Sequence, residues 1–307
     1  MFLLALCICW NKLVVVGALP NSTTSYLQQS NVYVLSPSEL ASLAPYSQFA
    51  RAAYCPPSVV DGWMCGEACE AVPDFLVSLT GGDGSDTQYY YVGYWLFGDT
   101  VIVAHQGTDA TKLLAYLTDV DIFLESLDPL LFPGISSSVQ VHSGFANEHA
   151  KTAPTILAEV YKLLDQYGAE SVTLVGHSLG GALAELDCLF LALSLPSNIA
   201  IRGVTYGTPR VGNPAWASFF DSTVPDFQRI NNGKDPIPIV PGIFMGFSHV
   251  RGEVHITEPN YAVSCPGNDD ATDANCTIMT VPNVFDSNML NHLGPYQGIY
   301  IGSLFCT

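Results

Sequence analysis

Val175-Gly176-His177-Ser178-Leu179-Gly180-Gly181 is the stretch on which the reading of this chain turns. On its amino side, residues 171–175 form a short β-branched run that reads as a strand. On its carboxyl side, residues 179–195 are apolar almost throughout, which predicts a buried helix. A serine between glycines at such a junction sits on a tight turn that projects its hydroxyl. Gly176 and Gly180 lack a Cβ, so strand and helix can approach closely around Ser178. The N–H of Leu179 opens the helix and points toward the place where an oxyanion would develop. A glycine-rich turn with an incidental serine is the plainer alternative, and the strand, the helix and the third glycine argue against it. His177 is expected to pack into the scaffold, since adjacent residues at such a turn point in opposite directions.

To either side of this turn, strands and helices alternate. Residues 89–97 and 101–104, split by Gly98-Asp99, predict a hairpin. Residues 152–167 place Leu157, Val160, Leu163, Leu164 and Tyr167 at helical spacing, with Pro154 suited to the first turn and Gly168 to the C-cap. Residues 199–206, 227–230 and 250–256 read as further strands. This alternation predicts an α/β fold, a mostly parallel central sheet with helices on both faces. No linker-like composition appears after residue 37, so one domain is expected.

Composition narrows the class. The chain has 307 residues, 49% of them apolar and 12% charged, against about 25% charged in an ordinary soluble protein. That excludes a disordered chain, a coiled coil and a collagen. With 28 acidic and 10 basic side chains the formal net charge is −18. Ten scattered cations cannot build a phosphate-binding surface, so nucleic acid is excluded as a partner and stable binding to anionic lipid is disfavoured. Residues 1–18 carry two apolar runs interrupted at Asn11 and Lys12, with Val16 and Ala18 at the −3 and −1 positions of a cleavage site. As a membrane span this segment would bury Lys12 at a cost of about 2.5–3.5 kcal/mol. A secretory signal peptide over 1–18 is therefore expected, then a leader or flexible arm over 19–44 and a secreted domain over 45–307.

Cysteine usage agrees with export. Cys7 and Cys9 would leave with the signal, and seven cysteines remain. Cys188 lies in the apolar run after Ser178 and is expected to be a buried free thiol. Cys55, Cys65, Cys69, Cys265, Cys276 and Cys306 have no accompanying histidine spacing, so disulfides are expected rather than zinc, and no metal or cofactor is called for. Asn21 and Asn275 begin glycosylation sequons.

Nucleophile, acid and base occur in that chain order in α/β-hydrolases, with the partners on loops after later strands. Asp235, in Asn231-Asn232-Gly233-Lys234-Asp235-Pro236, comes after the strand at 227–230 and is the expected acid. Asp221 and Asp226 are rivals that precede that strand. His105, His142 and His149 precede the serine, leaving His249, His255 and His292. His292 lies in a polar loop near the carboxyl end and is the expected base, with His249 and His255 in structural roles. The second oxyanion donor is expected in His105-Gln106-Gly107-Thr108-Asp109. There Gly107 permits close approach, Thr108 supplies N–H and hydroxyl, and Asp109 caps the next segment.

Taken together these residues resemble the fungal class 3 lipase family, a branch of the α/β-hydrolases that also holds feruloyl esterases. Val141-His142-Ser143-Gly144-Phe145, the segment from Gly207 to Pro214, and the tail from His292 to Cys306 extend the similarity over roughly residues 46–307. The resemblance implies a Ser178–His292–Asp235 triad and bridges Cys55–Cys306, Cys65–Cys69 and Cys265–Cys276. Two positions depart from the family pattern: Gln106 stands where Arg is usual, and Asn291 where Asp is usual. The resemblance also makes residues 109–119 a lid, and Leu113, Leu114, Tyr116 and Leu117 fit one helical face there. An apolar lid favours a triacylglycerol lipase working at an oil–water interface, as a monomer with no stable membrane insertion. A feruloyl or other short-chain esterase, or a mono- or diacylglycerol lipase, is the alternative enzyme. An inactive lipid-binding protein on the same scaffold is the alternative of a different class.

Overall fold

A computed structural model describes residues 31–118 and 123–306. The expected signal peptide and Asn21 lie outside the described residues. Strands β1 (Tyr33–Val34), β2 (Phe75–Gly81), β3 (Tyr90–Trp95), β4 (Thr100–His105), β5 (Leu124–Ser126) and β6 (Gln140–His142) precede the serine. Then come β7 (Ser171–His177), β8 (Ala200–Tyr206), β9 (Asp226–Asn232), β10 (Glu253–Glu258) and β11 (Tyr261–Cys265). Nine of these strands form one sheet in the order β1-β11-β10-β9-β8-β7-β4-β3-β2, and β5 pairs with β6 alone. The five consecutive strands β4, β7, β8, β9 and β10 run parallel, with antiparallel pairs at both edges.

The side-chain alternation of the central strands explains the layering. On β4 and β7, Val101, Val103, Val172 and Leu174 face one core, while Ile102, Ala104 and Val175 face the other. The first core is covered by α4 (Ser143–Tyr167) and α5 (Leu179–Ser194), the second by α2 (Ala44–Ala52), whose Phe49 and Ala52 are fully buried. Two further helices are α1 (Pro37–Ala41) and α6 (Pro214–Thr223), and α3 (Ala110–Leu117) lies between β4 and β5. The α/β class expected from the alternation is the one observed. Disulfides join Cys55 to Cys306, Cys65 to Cys69 and Cys265 to Cys276, and Cys188 is free and buried on α5.

Two boundaries differ from the sequence reading. The arm expected over 19–44 does not hold for its described part, because Tyr33 and Val34 pair with Ser264 and Val263 at the sheet edge. Ser36 then starts α1 in a capping box with Glu39. Edge pairing supplied by distant β11 is invisible in local polar composition. Helix α4 begins nine residues before the expected start at Thr152, so Pro154 lies inside it. The signal for the true start is His142, whose Nδ1 accepts from the N–H groups of Gly144 and Phe145 at 3.0 and 3.4 Å. A histidine N-cap falls outside the usual Ser/Thr/Asp/Asn set. Gly168 does close the helix in the left-handed conformation, at φ 64°.

Candidate active site

The parallel strands end on one edge, and the elements carrying the candidate residues meet there. Ser178 comes directly after β7 at φ 62° and ψ −129°, a conformation costly for any residue with a side chain. The turn holds because its surroundings fit only glycine: a Cβ on Gly176 would lie 2.0 Å from the carbonyl oxygen of Gly180. The Ser178 N–H donates to the Tyr206 carbonyl at 2.9 Å, tying the turn to the end of β8. Ser178 is fully buried, and its Oγ has no hydrogen-bond partner.

Asp235 and His292 come together although 57 residues separate them. His292 Nδ1 lies 2.8 Å from Asp235 Oδ2, with both side chains out of solvent. The carboxylate can only accept, so Nδ1 carries the proton and Nε2 presents a lone pair. That Nε2, like the serine oxygen, is buried without a partner. Asp235 Oδ1 accepts from the Ile237 N–H at 2.9 Å, which orients the carboxylate. Gly207, next to the residue that holds the Ser178 N–H, closes over the pair. Its φ is 53°, and a Cβ there would lie 2.8 Å from Asp235 Oδ2, His292 Nδ1 and Tyr296 Oη alike.

His177 packs into the scaffold and also bridges. Its Nε2 donates to the His292 carbonyl at 2.7 Å, and its Nδ1 accepts from the Tyr54 hydroxyl at 2.7 Å. Burial, and then the adjacent His292, push the His177 imidazole well below its ordinary range, so it stays neutral. Tyr296 donates to the same His292 carbonyl at 3.1 Å. Gly207 and Tyr296 lie in segments that carry the family resemblance, but the sequence reading gave neither them nor Tyr54 a role at the site, since a tyrosine or glycine carries no local mark of what it will touch.

The rival acids and bases lie elsewhere. Asp221 receives the Arg251 N–H at 2.9 Å, and Asp226 opens β9 at its amino end. Both line a depression of about 460 Å³ that holds none of Ser178, Asp235 or His292. His249 Nε2 lies 2.7 Å from the Pro238 carbonyl, and burial, then the nearby Arg229 charge, hold its ring near a pKa of about 3. His255 sits between the carbonyls of Asn275 and Gly233 at 2.5 and 2.8 Å.

Thr108 and Leu179 line a cavity of about 300 Å³ together with Leu113, Tyr116 and Phe145. Asp109 caps α3, accepting from the N–H groups of Thr111 and Lys112 at 2.9 and 3.3 Å. The four residues expected on one lid face divide: Leu113 and Leu117 are buried, Leu114 is half-buried, and Tyr116 is 52% exposed. Tyr116 stands one position from Leu117, about 100° around the helix, and its ring instead meets His142 edge-on at 5.4 Å. The two departures from the family pattern are accommodated. Gln106 Oε1 accepts from the Tyr89 N–H, and Asn291 Oδ1 accepts from the Lys234 N–H beside Asp235.

A nucleophile turn, an ordered Asp–His pair and an open-ended parallel sheet define the α/β-hydrolase class. The family described as Lipase (class 3) matches residues 102–245. A lipase of Rhizopus niveus is 30% identical over 281 residues, covering 88% of this chain and 68% of that protein. The solved lipase II of Rhizopus niveus superposes with a TM-score of 0.76 at 27% identity, covering 90% of this chain and all of that one. A solved triacylglycerol lipase described as having a serine protease triad at its catalytic centre gives 0.77 at 27% identity, over 90% and 100% of the two chains. The chain belongs to the class 3 lipase family. It is also 27% identical over 208 residues to a secreted mono- and diacylglycerol lipase of Malassezia globosa, covering 67% of this chain and 64% of that protein. The chain thus spans just under two thirds of the length of that relative.

Proposed function

We propose that the protein is a secreted carboxylic-ester hydrolase, a triacylglycerol lipase acting at an oil–water interface through Ser178, His292 and Asp235. The observation that carries this reading is the 2.8 Å His292–Asp235 contact beside a strained serine, with Ser178 Oγ and His292 Nε2 both buried and unpaired. In the step this supports, Ser178 Oγ attacks the ester carbonyl and passes its proton to His292 Nε2. Asp235 holds the ring and stabilises the imidazolium. The N–H of Leu179, with Thr108 across the cavity, receives the oxyanion. His292 then protonates the leaving alcohol, and water activated by the same ring releases the fatty acid from Ser178.

The lid reading rests on α3, whose Leu113 and Tyr116 line the cavity that holds both candidate oxyanion donors, while Leu117 is buried in the core beneath the helix. Secretion is supported by the expected signal peptide over 1–18, by three disulfides, and by relatives named as secreted. Among the described residues no helix is long and apolar enough to cross a membrane. We take the domain to run from about Tyr33 to the carboxyl end, the protein to act as a monomer, and Asn275, which is exposed, to be its described glycosylation site.

Ser178→Ala and His292→Ala are expected to abolish hydrolysis of a soluble p-nitrophenyl ester, while His249→Ala keeps most of it. Activity of Ser178→Ala above a few per cent of wild type refutes the nucleophile. A mono- and diacylglycerol preference is the second reading, favoured by the similarity to the Malassezia mono- and diacylglycerol lipase. Rates on emulsified tri-, di- and monoacylglycerol, with tributyrin and methyl ferulate alongside, separate these readings from a feruloyl esterase.

A further inference from the structure

Behind the loop that carries Thr108 lies a buried polar cluster with no part in the proton transfers above. Asp187 sits on α5, and neither it nor its partners His105 and His149 is more than 1% exposed. Its Oδ2 is 2.6 Å from His105 Nε2, and its Oδ1 is 2.9 Å from His149 Nε2. Burying a carboxylate is costly unless its oxygens are paired, and here each has a histidine. Burial pushes the Asp187 carboxyl upward, but the two histidines outweigh it and hold the group far below the usual carboxylate range. The three side chains come from three elements: His105 ends β4, Asp187 lies on α5, and His149 on α4.

His105 touches α5 twice. Its side chain reaches Asp187, two helical turns beyond Leu179, and its carbonyl oxygen would lie 2.2 Å from a Cβ on Gly180. The residues after it are equally fixed. Gln106 donates its N–H to the Tyr89 carbonyl at 2.8 Å and accepts the Tyr89 N–H on its side chain at 2.8 Å. A Cβ on Gly107 would lie 2.9 Å from that of Ser178. Thr108 comes next, so its position relative to the start of α5 depends on how His105 is held.

We propose that the His105–Asp187 pair is a positioning device for the oxyanion hole, setting the separation of Thr108 on the loop and Leu179 at the helix start. The proposal rests on the reading of Ser178 as nucleophile. Donors from two elements stabilise an oxyanion only where they are preorganised for it. A displacement of about 1 Å is enough to cost on the order of a hundredfold in rate. His149 differs from His105 in one respect that makes the idea testable. It completes the pairing of Asp187 from α4 and has no covalent continuity with the oxyanion loop, so it supports the buried carboxylate without setting Thr108.

The test compares His105→Phe with His149→Phe in the full secreted chain. Readouts are kcat and KM on p-nitrophenyl butyrate below its solubility limit, affinity for an alkylboronic acid that forms a tetrahedral adduct, and Tm. His105→Phe is expected to lower kcat about 10- to 100-fold with KM nearly unchanged, and to weaken the boronic acid in step. His149→Phe is expected to lower Tm while kcat stays within about threefold of wild type, as for a group remote from the oxyanion. His105→Gln, whose amide still offers Asp187 a donor, should recover most of the lost rate. Equal losses of kcat at both positions, or an unmoved kcat in His105→Phe, overturn the proposal. If His105→Phe fails to fold, His105→Asn, too short to reach Asp187, is held to the same outcomes. Fluorophosphonate labelling keeps the two ideas apart. A wild-type Ser178 that stays unlabelled overturns the nucleophile and this proposal together, whereas a labelled Ser178 with unmoved kcat in the variants overturns the positioning alone.

Discussion

Replacing Gly207 with alanine tests the site's geometry at one atom. Gly207 lies at φ 53°, its N–H donates to the Ile230 carbonyl at 2.9 Å, and an added Cβ would meet three polar atoms at 2.8 Å. Two of those atoms are the partners of the Asp235–His292 hydrogen bond, itself 2.8 Å long. Carbon cannot sit that close to oxygen or nitrogen, so the pair must yield by several tenths of an ångström. The left-handed backbone adds about 1–2 kcal/mol for a residue with a Cβ. Loss of a correctly oriented triad carboxylate costs about 10⁴ in kcat in the chymotrypsin-type template, which sets a ceiling. A strained but present Asp235 should cost about 10²–10³, since the imidazole keeps its tautomer while losing alignment. Gly168→Ala is the control, because Gly168 has φ 64° and nothing within 4 Å of its Cβ position. It should lose about 1–2 kcal/mol of stability, or a few degrees in Tm, with kcat unchanged. Turnover of a soluble ester per fluorophosphonate-titrated site reads both variants. Gly207→Ala keeping more than a tenth of wild-type kcat, or Gly168→Ala falling as far, refutes the reasoning.

Glu185 is fully buried, accepting from Trp216 Nε1 at 2.8 Å, and burial lifts its carboxyl to about 8 against the pull of Trp216 and then Arg229. The unfolded chain releases this proton near 4.5 while the folded chain keeps it to about 8, so the group costs stability as pH rises through that window. Glu185→Gln should therefore gain Tm over wild type progressively from pH 5 to 8, and a gap independent of pH overturns the assignment. His142 shows the opposite sense. Burial lowers its ring from 6.5 to about 4, so the unfolded chain takes up a proton first and stability falls as pH drops from 6.5 toward 4. His142→Asn keeps an N-cap acceptor for α4 and removes the titration, so its Tm should decline less over that range even if packing against Phe145 is lost. Parallel Tm curves would count against this.

What could be read from the sequence was whatever a short window contains. The serine turn is a local motif, and its strand and helix are each set by their own periodicity. Asp235 and His292 were reachable by chain order, because α/β-hydrolase topology converts order along the chain into position along the sheet edge. Contacts that close only in three dimensions stayed hidden. Nothing near Tyr54 says that its hydroxyl reaches His177, and nothing near Gly207 says that it caps the Asp–His pair. The start of α4 was missed because the cap is a histidine, and the edge strand β1 because its partner is β11, more than two hundred residues away. On α3, helical spacing put Leu113, Leu114, Tyr116 and Leu117 on one face, and it did not anticipate that Tyr116 is half exposed while Leu113 and Leu117 are buried, since a face as wide as four residues in eight admits a member at its margin.

If α3 is the lid proposed above, its two buried leucines set how strongly the closed form should be favoured in water. Leu113 and Leu117 are 4% and 0% exposed, so swinging α3 away uncovers two full leucine side chains. At about 1.5–3 kcal/mol each, opening costs roughly 3–6 kcal/mol before any loss of helix packing. The open form would then be about one molecule in a hundred to one in ten thousand in water. A lipid surface returns that energy by accepting the same side chains. Activity on one ester should therefore climb steeply as the substrate passes its solubility limit, by a factor bounded by the closed bias. Replacing both leucines with serine removes the cost of opening and the gain at the interface together, so the climb should vanish while soluble short-chain esters are still hydrolysed. Asp109 at the helix start is unaffected by that change, so the helix keeps its cap. A steep rise that survives the double substitution would place the interfacial response outside α3.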